Sequence, residues 1–422
     1  VVRVVHLSQT DSGAGAGRAA YRIHRGLCAL GVDSSMIVAA AGADTDTEPA
    51  RQGRFGRNVV RAASFLEAKL GRRLRSPHAG YLSPAAFSGF DPGRDARVLS
   101  ADVVALYWIN GGFVRPEGLA GIAAPIVWRL SDIWPFTGGC HYPGTCTRFK
   151  GQCGQCPQLA NPGERDWSRR LWSRKQKAWR DLNLTIAAPS RWIAGLAERS
   201  SLFTGRRTVV IPTGVDLQRF RPIAREAARA SLGLPLDRDI IAFGSLDPAG
   251  DTRKGFRELA AAMDELAGNG SHRKPLAVAF GGPKTPDRAD TVLLGRIDDD
   301  ERLAHVYAAA DAVIVPSIED NLPNVALEAV ACGTPVVGFN VCGMPDVVRH
   351  EWNGFLAAAV DGRELAAGIR WVLSDPVRLQ HMRRNARALA EERFDLDLQV
   401  RRYRDLYHDL YGGGGLRGEG GR

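Results

Sequence analysis

Short β-branched runs alternate with amphipathic helical stretches along nearly the whole chain, the signature of parallel sheets with crossover helices. The first half predicts strands over Val2–Leu7, Ser35–Ala40, Val103–Ile109, Pro125–Leu130 and Leu184–Ala188, and helices over Gly17–Leu30, Asn58–Leu70 and Asp166–Asp181. The second half predicts strands over Thr208–Ile211, Asp239–Gly244, Leu276–Gly281, Thr291–Leu294, Ala312–Pro316 and Pro335–Phe339. Its helices are expected on the stripe Phe256, Leu259, Ala260, Met263, Leu266, then over Glu301–Ala310 and Pro323–Ala331, with a helical end from Pro376 to Tyr411. At 422 residues the chain is too long for one such sheet. Two Rossmann-like domains facing a central cleft are expected, at residues 1–200 and 201–395. A helix over 396–411 is expected to pack back on the first of them. The Gly-, Pro- and Arg-rich stretch Gly71–Ala96 reads as a loop or mobile flap, and the tail 412–422, GGGGLRGEGGR, as disordered.

Composition excludes several classes. Hydrophobic residues are 45% and charged residues 24%, which rules out wholesale disorder, collagen and coiled coil. No run of about 18 uncharged apolar residues could span a membrane. The opening VVRVVHLS reads as a buried strand without the basic, apolar and cleavage-site series of a secretory signal, so a soluble cytoplasmic chain is expected. Formal net charge is +10, and only seven of the 56 basic residues are lysine. That balance suits nucleic acid, an anionic membrane or an anionic small molecule. Basic residues cluster in Asp166–Asp181, where Arg169, Arg170, Arg174, Lys175, Lys177 and Arg180 interleave with Trp167, Trp172 and Trp179. This pattern suits peripheral contact with an anionic membrane, or equally a solvated helix with its tryptophans packed inward. No nucleic-acid recognition motif accompanies it, so no nucleic-acid partner is expected.

Three turns hold the residue types of a phosphate site. Gly13-Ala-Gly15-Ala-Gly17-Arg18-Ala-Ala20 follows the first strand and opens a helix. Glycines there let backbone N–H groups approach a phosphate that the helix N-terminus favours. Gly15, Gly17 and Ala20 fit G-x-G-x-x-A, but Ala39–Ala41 stand where a dinucleotide site needs an acid, which disfavours a nicotinamide enzyme. A tight turn without a ligand is the plainer alternative. Ser317–Pro335 follows a buried strand, and its helix start would present free N–H groups to a diphosphate. Asp320 and Glu328 could accept sugar hydroxyl protons, or could simply cap the helix and face solvent. Arg253-Lys254-Gly255, at another strand–helix turn, could neutralise a pyrophosphate leaving group. Taken alone, such loop cations are often only solvated.

In this order the pieces resemble the retaining glycosyltransferases of family 4. The resemblance rests on Arg253-Lys254-Gly255, Gly295, Ala310-Asp311, Pro316-Ser317, Asp320 to Ala329, Cys332-Gly333-Thr334-Pro335, Gly343 to Asp346 and Asn353-Gly354. It extends to Ala188-Pro189-Ser190 with Trp192, and to Ile211-Pro212-Thr213-Gly214 with Asp216 and Phe220. Residues 128–159 (WRLSDIWPFTGGCHYPGTCTRFKGQCGQCPQL) resemble a bacterial colanic-acid and exopolysaccharide subgroup. The resemblance implies the GT-B fold and a sugar donor built on a nucleotide diphosphate, UDP or GDP. It implies that Arg253 and Lys254 hold the donor phosphates, that backbone around Asn321, Leu322, Pro323 and Asn324 meets the diphosphate, and that Glu328 takes the ribose. Asp320 would sit near the transferred sugar, and catalysis would need no metal cofactor. The acceptor would be a saccharide, free or lipid-linked. The family's first acid of an E-x7-E pair is Asp320 here, after Glu319, while Ser245 and Thr213 replace a usual Arg and Asn. Ser131-Asp132 stands where many relatives carry His-Asp. Serine can bond a sugar hydroxyl but cannot carry positive charge, and same-face attack tolerates that loss. A catalytically silent sugar-nucleotide binder is the rival reading, motivated by Ser131 and Ser245.

Four of the seven cysteines crowd together as Cys140-x5-Cys146-x6-Cys153-x2-Cys156. Four thiolates with a closing C-x2-C in glycine-rich sequence suit a tetrahedral structural zinc, with His141 a possible substitute ligand. Free thiols, two disulfides and an iron–sulfur cluster are the alternatives. A cytoplasmic setting disfavours the disulfides.

Overall fold

In a computed structural model, hydrogen-bonded strands build two wholly parallel sheets. The structure describes the chain except residues 13–14, 43–45, 51–52, 78–79, 84, 88, 246–250, 269–273, 283–289 and 415–422. The first sheet holds β1 (Arg3–Thr10), β2 (Asp33–Ala40), β3 (Glu48–Pro49), β4 (Val103–Leu106), β5 (Ile126–Arg129), β6 (Leu184–Ala188) and β7 (Arg207–Val210), in the order β3-β2-β1-β4-β5-β6-β7. The second holds β8 (Ile240–Ser245), β9 (Leu276–Gly281), β10 (Thr291–Leu293), β11 (Ala312–Val315), β12 (Val336–Phe339) and β13 (Gly354–Ala357), in the order β10-β9-β8-β11-β12-β13. Both orders reverse beside their first strand, which makes each unit Rossmann-like. Ligands of such sheets bind outside the carboxyl ends of the strands at that reversal.

The strands read as unbroken apolar runs because both faces are covered. Ile240 and Ala242 of β8 enter one core with Val278, Val313 and Val336, while Ile241 and Phe243 enter another with Ala279, Ile314 and Val337. One-residue alternation thus feeds two helical layers.

The chain divides into two compact units, Val1–Pro212 with the segment from Gln399, and Thr213–Leu398. The strand expected over Thr208–Ile211 in the second half is β7, and it pairs with β6 of the first sheet. The helical end expected from Pro376 to Tyr411 is two helices, Pro376–Arg393 and Leu396–Gly414. Between them the backbone pairs with Val215, whose N–H donates to Phe394 and whose carbonyl accepts from Leu396, so helical bonding stops there. Part of the stretch read as a flap is helical, since the Gly53–Leu74 helix runs into it. No helix among the described residues is long and apolar enough to cross a membrane.

The last helix completes the first unit. Gln399 donates to the Pro212 carbonyl at 2.8 Å, and Val400 packs where any side chain at Gly26 would clash. Tyr407 meets His6 at 6.3 Å between ring centroids, and His6 shares a 3.0 Å hydrogen bond with the Tyr107 hydroxyl. Burial, helped by the neighbouring His24, holds His6 well below its ordinary value, so it is neutral when folded. The unfolded chain binds a proton here below about pH 6.5 that the folded state refuses. This contribution is therefore complete above that pH and is lost as the pH falls toward the folded value. Melting temperature should drop between about pH 7.5 and 5.5, and His6→Gln should narrow that difference in a calorimetric scan.

Candidate active site

Two loops in the second unit meet at the reversal between β8 and β11. The short turn Thr252–Lys254 is capped by Asp251, whose carboxylate accepts the Arg253 N–H at 3.3 Å and pairs with its guanidinium at 2.7 Å. Gly255 closes the turn at φ 64°, and a Cβ there would lie 1.7 Å from the Pro316 carbonyl oxygen. Only glycine permits both the conformation and the approach. The Arg253 carbonyl accepts the Ile318 N–H at 2.8 Å, which staples the turn to the segment after β11. Lys254 Nζ consequently reaches Asp320 Oδ2 at 2.5 Å. Two motifs 66 residues apart in sequence form one ion pair.

The helix Asn324–Ala331 begins beside that pair. Pro323 takes the capping position with no side-chain cap, leaving the first N–H groups without such a partner. Asn321, Leu322 and Pro323 are buried and Asn324 is half-buried. Neither plain alternative for the two acids holds. Asp320 pairs with Lys254 rather than capping the helix, and Glu328 is buried and accepts the Tyr307 hydroxyl at 2.8 Å. Sequence reasoning missed Tyr307, whose only signal is a polar tip in the otherwise apolar run Val306–Ala310. Of Ser245 the structure describes only the backbone.

In the first unit, Gly15 opens the helix Gly15–Ala29 and is exposed. Gly17 serves packing, because a Cβ there would lie 2.5 Å from Thr10 Oγ1. Gly13 lies outside the described residues. Asp132, after β5, is buried and accepts three hydrogen bonds: Trp108 Nε1 at 3.0 Å, Trp134 N–H at 2.9 Å and His141 Nδ1 at 2.6 Å. The other ring nitrogen of His141 meets Ser83 Oγ at 2.9 Å. His141, read from sequence as a spare metal ligand, is instead committed to Asp132. An imidazole thus stands against Asp132 although position 131 is serine. Ser131 Oγ lies 3.4 Å from the Arg129 guanidinium. Ser83 carried no sequence signal.

The basic tryptophan helix, Trp167–Trp179, presents no aromatic stripe. Trp172 and Trp179 are buried, Lys175 is fully buried, and Arg174 is bound to Glu117 at 2.7 Å and to the Ala85 and Ala86 carbonyls. Trp172 and Trp179 thus pack inward, whereas Trp167 is half-buried, 5.5 Å from the Phe87 ring. Cys140, Cys146, Cys153 and Cys156 line one small cavity, and none of the seven cysteines is disulfide-bonded.

Residues 226–389, inside the second unit, match the family Glycosyl transferases group 1. Sucrose-phosphate synthase from Thermosynechococcus elongatus superposes with a TM-score of 0.68 at 18% identity, over 98% of this chain and 100% of its own. The Anabaena protein Alr3699/HepE, solved in complex with UDP-glucose, gives 0.66 at 17% identity over 97% and 100%. The fold is GT-B. In sequence, D-inositol 3-phosphate glycosyltransferase 2 of Catenulispora acidiphila is 37% identical over 201 residues, 43% of this chain and 46% of its own. The corresponding glycosyltransferase of Saccharomonospora viridis is 36% identical over 217 residues, 48% and 49%. The match spans about half the length of these curated relatives.

The two neighbours in Ser131-Asp132 separate by their bonding. Asp132→Asn loses charge-assisted bonds in a buried network and should lower stability by about 1.5–3 kcal/mol in urea unfolding. Ser131→Ala removes a neutral hydroxyl, not a buried charge, and should cost less, within about 1 kcal/mol.

Proposed function

We propose that this chain is a retaining glycosyltransferase that moves a sugar from a nucleoside diphosphate, UDP or GDP, to a glycan or lipid-linked saccharide. The observation that carries this reading is Lys254 against Asp320, beside a helix start without a side-chain cap, inside the segment matching group 1 glycosyltransferases. As the bond from the anomeric carbon to the donor phosphate breaks, negative charge grows on the diphosphate. In this reading Lys254, Arg253 and the N–H groups at the start of the Asn324–Ala331 helix stabilise that charge without a metal ion. Glu328, held by Tyr307, accepts ribose hydroxyls. In this reading Asp320 meets the transferred sugar. The leaving phosphate takes the acceptor proton on the same face, so position 131 need not supply a base.

The test incubates the purified chain with labelled UDP- and GDP-sugars. Acceptors are polyprenyl-diphosphate saccharides, free oligosaccharides and, because of the relatives' names, D-inositol 3-phosphate. Product with the donor's anomeric configuration supports the reading. Tight donor binding without turnover supports the silent binder instead. Lys254→Ala should lower transfer by about 10²–10³-fold with folding intact, and wild-type rates in that variant would exclude its role.

A lipid-linked acceptor places the chain at a membrane surface, and the Gly53–Leu74 helix suits that contact better than the tryptophan helix. Phe65 and Leu66 are 61% and 63% exposed, next to exposed Arg61, Lys69, Arg72 and Arg73. Apolar side chains rimmed by cations match an anionic interface. Sedimentation with phosphatidylglycerol vesicles should carry the protein down, phosphatidylcholine should not, and Phe65→Ser with Leu66→Ser should abolish the effect.

A further inference from the structure

The cysteine-lined cavity lies in the first unit, beside the loop that carries His141. Its volume is about 20 Å³, room for one water-sized occupant. Three residues in a row at its closing turn take left-handed backbone: Cys153 at φ 48°, Gly154 at 96° and Gln155 at 46°. Residues other than glycine rarely adopt this, and it persists only where the surroundings enforce it. Here the start of the Trp167–Trp179 helix does so. Asp166 accepts the Cys156 N–H at 2.8 Å, and Ser168 Oγ accepts the Gly154 N–H at 2.9 Å. The turn also receives a bond suited to a thiolate, from Gly138 N–H to Cys153 Sγ at 3.3 Å.

Lys175 supplies the second, independent observation. Its side chain has no exposure, lies 3.4 Å from the Trp134 ring centroid and donates to the carbonyls of Trp134 and Thr137. It has no carboxylate ion pair among the described residues. A buried cation without a direct ion pair is costly. A divalent ion held by four thiolates carries two net negative charges and would add counter-charge near Lys175.

We propose that Cys140, Cys146, Cys153 and Cys156 together bind one zinc ion, with Lys175 as its buried counter-cation. As placed, no three His, Cys, Asp or Glu side chains among the described residues form a ready cage, so the thiols rotate inward as they bind and lose their protons. The ion would also fix the candidate active site. Cys140 precedes His141, whose N–H donates to the Tyr81 carbonyl and whose carbonyl accepts from Ile133. The ion therefore tethers the strand of loop that holds His141 on Asp132.

Elemental analysis of the purified chain should give close to one zinc per molecule. Stripping with a chelator should lower the melting temperature and expose four reactive thiols, and adding zinc should reverse both. Cobalt in its place should give thiolate charge-transfer absorption and the intense visible bands of a tetrahedral site. Cys153→Ser should lower zinc affinity at least tenfold, and the wild-type stripping cycle decides the matter if that variant does not fold. Zinc-free protein with four reactive thiols and an unchanged melting temperature would overturn the proposal, as would an iron–sulfur chromophore or two disulfides by mass. Unchanged zinc retention in Lys175→Gln would overturn the counter-cation assignment.

Discussion

A side chain that is absent organises the candidate donor site. At Gly255 the backbone of one loop touches the carbonyl of Pro316 on another, nearer than any Cβ allows. The Lys254–Asp320 pair and the Arg253–Ile318 staple both follow from that approach. The loops come from strands β8 and β11, which are neighbours because the sheet order reverses between them. Topology brings the loops near, and the glycine closes the remaining distance.

The first unit solves a different problem. Its polar groups at the strand ends are buried, and each must be answered by another. Asp132 is answered by Trp108, Trp134 and His141, and His141 in turn by Ser83. This network fixes the orientation of an imidazole and a carboxylate. The site is thus held by partners drawn from several loops, the cysteine-rich one among them.

The sheets were legible in the sequence because burial on both faces removes polar alternation and leaves plain apolar runs, as at Leu276–Gly281. What escaped had weaker signals. The edge strand Gly354–Ala357 is short and starts at a glycine, and Glu48–Pro49 is only two residues. The break at Phe394–Leu396 depends on pairing with Val215, far away in sequence. At the candidate site, the turns that suit phosphate chemistry were readable from glycine, proline and charge. Partner choice was not. That Glu328 meets Tyr307, or that His141 turns to Asp132 rather than to the cysteines, depends on how the elements pack, and residue spacing holds no record of it.

The return of Gln399 onward to the first unit has a consequence during synthesis. The second unit, Thr213–Leu398, is one uninterrupted stretch and can close as soon as it has been made. The first unit begins earlier yet finishes later. Its sheet can form once β7 is out, but His6 and Tyr107 keep an open flank until Tyr403 and Tyr407 arrive. For the time needed to translate some two hundred residues, at roughly 5–20 residues per second, the amino-terminal half waits incomplete. A ribosome-bound chain of this protein therefore completes its units in the reverse of their order of emergence.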